Sequence, residues 1–153
     1  MKMQGKFTLA ASPAQVWEWL NQPDVLKACI PGCEEIERDE DGKFKAVVRL
    51  KIGPLSARFK GNVHFANVSA PHSFQLVGEG EGGVAGFAKG SAEVALAQHD
   101  AGCELTYEAE AQVGGKIAQM GTRLLQGVAN KLADQFFASL ARHADETSSA
   151  EAG

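Results

Sequence analysis

The sequence has no apolar run approaching the roughly 20 residues that a membrane-crossing helix needs. Its first residues show no charged segment followed by an apolar signal stretch. Both absences lead to the expectation of a cytoplasmic protein. Cysteine is scarce, and the count of 3 is odd, which fits reduced thiols better than a disulfide framework. Zinc-finger spacing and arginine-rich tracts are missing, and the formal net charge is -4, so nucleic acid is not an expected partner. There is no nucleophile elbow, phosphate-binding loop or paired-carboxylate motif. His64, His72, His99 and His143 are scattered and form no helical pair four residues apart. Cys29 and Cys33 are separated by three residues with no histidine nearby, so they read as small apolar groups rather than metal ligands. The run Gly78-Glu79-Gly80-Glu81-Gly82-Gly83 matches G-x-G-x-x-G by letter. An alternating strand follows it instead of a helix, which removes the dinucleotide reading.

What is present is a chain of 153 residues, 44% hydrophobic and 22% charged, enough for one domain with a real core. Met3, Gly5, Phe7 and Leu9 alternate with polar residues as a first strand. Ser12-Pro13-Ala14-Gln15 then supplies an N-cap, a proline at the first helical position and a capping-box glutamine. A short helix follows to about Asn21, and a second short turn begins at Pro23 and stops at Pro31-Gly32. From Cys33 the period becomes two. The inward sets are Phe44, Ala46, Val48, Leu50 and Ile52; Phe59, Gly61, Val63 and Phe65; Phe74, Leu76, Gly78 and Gly80; Ala88, Gly90, Ala92, Val94 and Leu96; and Leu105, Tyr107, Ala109, Ala111 and Val113.

Gly114–Leu140 reads as one long amphipathic helix, with Ile117, Gly121, Leu124, Leu125, Val128, Leu132, Phe136 and Leu140 on the apolar arc. The expected fold class is α+β: a curved antiparallel sheet of about seven strands wrapped around a long C-terminal helix, with two short helices after strand 1. Residues 1–143 form the domain, and the polar segment 144–153 is expected to be a disordered tail.

The later inward faces are unusually small, which can allow the bends of a curved sheet and also leaves volume unfilled, and Gly121 leaves a gap on the helix. Such a sheet must either collapse onto its helix or enclose a cavity, and the second alternative suits an apolar ligand. The candidate lining comes from the short helices and strands as Leu26, Ile30, Phe59, Val63, Phe74, Leu76, Phe87 and Tyr107. The long helical stretch adds Ile117, Met120, Gly121, Leu124, Leu125 and Val128. Tyr107 has a hydroxyl that could orient a ligand carbonyl, or simply bond within the core. Charge is segregated: acids cluster from Glu34 to Asp41, and Lys45, Arg49, Lys51, Arg58 and Lys60 follow with no acid among them. That basic ribbon is either a solvated sheet face or a docking surface for an acidic protein or anionic lipid.

Five stretches carry a resemblance. They are the opening from Ser12-Pro13 to Trp17, "ACIPGCE" at Ala28–Glu34, "KIGPLSARFKGNVHF" at Lys51–Phe65, "GFAKG" at Gly86–Gly90 and "VGGKIAQMGTRLL" at Val113–Leu125. In this order they resemble the carbon monoxide dehydrogenase G-subunit (CoxG) family of the START-like, helix-grip superfamily. The resemblance implies a non-catalytic accessory protein of an aerobic carbon monoxide dehydrogenase or related molybdenum hydroxylase, whose subunits would be its partners. It further implies a hydrophobic ligand beneath the long helix and membrane recruitment of the enzyme at the inner face of the cytoplasmic membrane; because such an enzyme must pass electrons onward, a quinone or lipid is the expected guest, and no other cofactor or metal is expected. Some relatives continue into a hydrophobic tail, whereas this sequence ends in Thr147-Ser148-Ser149-Ala150-Glu151-Ala152-Gly153. The alternatives are a docking or maturation module without ligand, and an enzyme acting on an apolar small molecule.

Overall fold

The computed structural model describes residues 1–152, with side-chain surroundings through residue 148. Strand β1 (Lys2–Leu9) leads into helices α1 (Pro13–Leu20) and α2 (Pro23–Cys29). Ser12 caps α1 as its sequence demands, its Oγ accepting a hydrogen bond from Gln15 N at 3.2 Å. Pro13 sits in the first turn, where its missing N–H removes no helical bond.

Six strands then run as an antiparallel meander: β2 (Cys33–Arg38), β3 (Phe44–Ile52), β4 (Leu55–Ser69), β5 (Ser73–Glu81), β6 (Phe87–His99) and β7 (Gly102–Gly114). The spatial order is β1-β7-β6-β5-β4-β3-β2, so the first strand closes against the last. Asp39 organises the β2–β3 turn, its Oδ1 accepting from Asp41 N at 3.0 Å and Lys43 N at 2.9 Å.

Helix α3 begins at Thr122, not at Gly114, and runs to Ala152. The residues between are a 3-10 turn, Lys116–Met120, bounded by Gly115 at φ 79° and Gly121 at φ 94°. Side-chain-bearing residues rarely adopt either value. A wheel drawn through Gly114–Leu140 therefore joins two elements that a left-handed break separates. The far end of α3 also departs from expectation. The segment from 144 is helical through Ala152, whereas a disordered tail was expected, and Gly153 lies outside the described residues. Packing explains the extension: Leu140 and Ala144 are fully buried, Trp19 meets the His143 ring at 4.7 Å, and Thr147 Oγ1 donates to His143 O at 2.9 Å. Alanine and glutamate in that segment are good helix formers once its start is held.

The interior falls into two clusters. The larger joins α1, α2 and the second half of α3 to the sheet through Leu9, Val16, Trp19, Leu96, Cys103, Leu105 and Leu140. The smaller lies at the opposite end of the helix and contains Ile52, Phe59, Ala85, Ile117 and Leu125. α3 packs chiefly against β1 and α2, and Gln126 Nε2 ties it to Lys2 O at 3.0 Å.

Candidate functional site

A cavity of about 200 Å³ opens at the edge of the larger cluster. Its wall draws Leu20 from α1, Leu26 from α2, Ile30 just beyond α2, Ile36 from β2, Phe44 and Ala46 from β3, and Val63 and Phe65 from β4. Phe74 and Leu76 come from β5, Val94 from β6, Leu105 from β7, and Phe136 and Phe137 from α3. Antiparallel register assembles this wall: Phe44 stands opposite Val63, Phe65 opposite Leu76, and Phe74 opposite Val94. Trp17 closes behind it, 4.9 Å from the Phe65 ring and 4.8 Å from that of Phe74. Among the described residues, no polar side chain lines the space. Val63 is 37% exposed, which marks the mouth.

Of the candidate lining residues, Leu26, Ile30, Val63, Phe74 and Leu76 stand in this wall. Phe59, Ile117 and Leu125 belong instead to the smaller cluster, and Met120 and Val128 pack against it. Tyr107 is buried outside the wall, 5.0 Å from Phe137 and 6.4 Å from Phe7. Desolvation, helped by the Asp134 charge, pushes its phenol pKa above the ordinary value. Phe87 pairs with Glu81 and Gly114 and shares the parity of Lys89 and Glu93, which puts it on the outer face, 47% exposed. Leu124 is 40% exposed. Gly121 is exposed, and a methyl there would meet nothing within 4 Å, so it makes no gap on a buried face.

The small strand residues also do something other than leave room. A Cβ at Gly61 would lie 2.7 Å from Glu79 O, and one at Gly90 would lie 2.5 Å from Glu110 O. The backbone itself fills those positions, so these glycines permit curvature and close approach of strands. Leu20, Ile36, Phe44, Ala46, Phe65, Val94, Leu105, Phe136 and Phe137 were not anticipated as lining. Most stand in the inward sets of the alternation or on the apolar arc. Which inward residues border a void depends on register between strands, and a single strand's pattern does not carry that information.

Lys45, Arg49, Lys51, Arg58 and Lys60 are all exposed on the outer face of β3 and β4. Arg49 stands directly opposite Arg58, a like-charge pairing that opposes sheet formation unless offset. Glu34 offsets it: Arg58 Nε donates to Oε1 at 2.7 Å and Nη2 to Oε2 at 3.2 Å. That pair holds the Glu34 carboxyl below the usual carboxylate range. Arg49, Lys45, Lys51 and Lys60 make no ion pair among the described residues. Burial raises the thiol pKa values of Cys29 and Cys103, which suits packing groups rather than nucleophiles. The described residues contain no cluster of three potential metal-ligating His, Cys, Asp or Glu side chains.

A curved seven-stranded sheet around a long C-terminal helix, with two short helices after the first strand and an apolar hollow beneath, defines the helix-grip class of α+β proteins. Solved structures agree. A conserved protein from Geobacillus kaustophilus superposes with a TM-score of 0.88 at 30% identity, covering 96% of this chain and 97% of its own. TTHA0849 from Thermus thermophilus gives 0.72 at 11% identity, over 97% of this chain and 99% of its own. CV1439 from Chromobacterium violaceum gives 0.66 at 15%, over 94% and 96%. No curated protein matches the sequence. Within the class, the sequence profile of the carbon monoxide dehydrogenase G-subunit (CoxG) matches residues 5–145, and the chain belongs to that family. The family is named for a subunit, not for a catalyst. No described helix is long and apolar enough to cross a membrane.

Proposed function

We propose that this protein is a non-catalytic accessory of an aerobic carbon monoxide dehydrogenase or related molybdenum hydroxylase, and that it carries an apolar guest, a quinone or lipid, between sheet and helix. The observation that supports the guest is the cavity wall, which is apolar throughout. Such a wall gives water no partner and leaves an empty space unfilled by dispersion contacts. A molybdenum hydroxylase must pass electrons onward, and a lipid-soluble carrier needs an apolar path to reach it. Native mass spectrometry of gently purified protein, followed by solvent extraction, should find a bound apolar molecule. Protein that is empty and also refuses added quinone would overturn the carrier role.

Membrane contact fits one end of the molecule. Val84 is 90% exposed, Phe87 47% and Leu124 40%. The segments that bring them together are 49–60, 82–90 and 114–125, which hold seven cations and no acid in a chain whose net charge is -4. Gly86 is packed against Gly114 and Gly115, and Gly53 lies beneath Leu124, so the three segments meet. Apolar tips among cations match an anionic lipid surface. Glu81 is the nearest acid in the pattern, opposite Lys60 and Phe87. Co-sedimentation with anionic vesicles, absent with neutral ones, is the expected result.

A second reading is a docking module. Arg49, Lys51 and Lys60, which make no ion pair among the described residues, support it, because a row of exposed cations suits an acidic protein surface. Reversing Arg49 and Lys51 to glutamate should weaken salt-sensitive binding to the hydroxylase while leaving guest uptake unchanged.

A further inference from the structure

Every side chain around the cavity presents carbon to it, and the chain's one tyrosine, Tyr107, stands outside the wall. A carbonyl or hydroxyl drawn inside would lose its water and find no side-chain donor or acceptor in return. The most exposed wall residue is Val63, on β4, while Phe74 on β5 and Leu105 on β7, farther along the wall, are sealed.

Taking the carrier role as its basis, we infer that the site selects its guest by the hydrocarbon tail and is blind to the polar head, which stays outside beyond Val63. A quinone held this way keeps its redox-active ring at the protein surface. There it can take two electrons from a docked, reduced hydroxylase and two protons from the surrounding water, becoming the quinol without leaving the carrier, and lipids with other heads but the same tail compete for the site.

The test is calorimetric titration of the full chain with three neutral ten-carbon amphiphiles, decanol, methyl decanoate and decylubiquinone, together with a series of n-alkanols and the chainless tetramethyl-benzoquinone. Affinity should rise about fourfold per methylene until the cavity is filled and then level off. The three heads should agree within about threefold, and the chainless quinone should not bind. Ala46→Phe, whose ring would occupy the cavity, should move the plateau to shorter chains; Ala46→Val makes the same test with a smaller step if the larger one unfolds the protein. A spread above about tenfold among heads, tight binding of the chainless quinone, or a plateau that neither Ala46 variant moves would overturn tail selection while leaving the carrier role in place. Failure of every amphiphile to bind would overturn the carrier role itself.

Discussion

The two ends of the interior are built to different standards. Around α1 and α2, Leu9, Val16, Leu96, Cys103, Leu105 and Leu140 are at most 2% exposed, and Phe65, Phe74 and Trp17 meet edge to face or tilted. Around the 3-10 turns, Ile52, Phe59, Ala85, Ile117 and Leu125 make a small cluster while Val84, Phe87 and Leu124 remain in solvent. The first end supplies most of the burial that holds the fold, and the cavity is a local gap in it. The second leaves apolar side chains uncovered among cations, an arrangement that adds little to folding and suits contact with another surface.

The largest test of that contrast is truncation in both places. Leu140→Ala should lose about 2–5 kcal/mol in urea denaturation, while Leu124→Ala should stay within about 0.5 kcal/mol. Equal losses would mean that the two ends are packed alike.

Backbone strain gives the next effect, confined to the loosely covered end. Gly86 has φ 117°, and a methyl there would overlap Gly114 O, so Gly86→Ala should destabilise by about 1–3 kcal/mol. Gly121→Ala pays only for its φ of 94° in open space, about 1–2 kcal/mol. Gly127 lies inside α3 with nothing within 4 Å, and Gly127→Ala should stabilise by about 0.5–1 kcal/mol. Thermal midpoints should rise through the three variants in that order.

On the surface itself, Val84→Asp should cut anionic-vesicle binding by roughly tenfold with the thermal midpoint unchanged. Unaltered binding would move the membrane contact elsewhere.

The smallest effects concern pH. Arg58 depresses the Glu34 pKa, so this pair favours the folded state above the ordinary carboxylate pKa, and its contribution fades as pH falls through the lowered value. Glu34→Gln should flatten the acid side of the stability curve slightly. Burial raises the pKa values of Cys29, Cys103 and Tyr107. Their stability contribution is intact below the unfolded pKa values and is lost as pH rises through the raised ones, so denaturation midpoints should fall on the alkaline side.

Much of the fold was legible in the chain. Ser12-Pro13 announced α1, alternation marked the inward set of every strand but β2, and five ordered stretches pointed to the family. The wheel through Gly114–Leu140 failed because periodicity records which residues are apolar and says nothing about the sign of φ at Gly115 and Gly121. Nine of the fourteen candidate lining residues stand outside the cavity wall for a related reason. Phe59 and Val63 both face inward on β4, yet one belongs to the small cluster and the other stands at the cavity mouth.

Local patterning was enough to determine the two short helices, the antiparallel meander and the segregation of acids from bases, because each depends on neighbours along the chain. Tertiary structure alone decided where the void lies, which strand glycines the neighbouring backbone fills, and that α3 holds beyond residue 143. These depend on register and on contacts such as Trp19 with His143, between residues far apart in sequence.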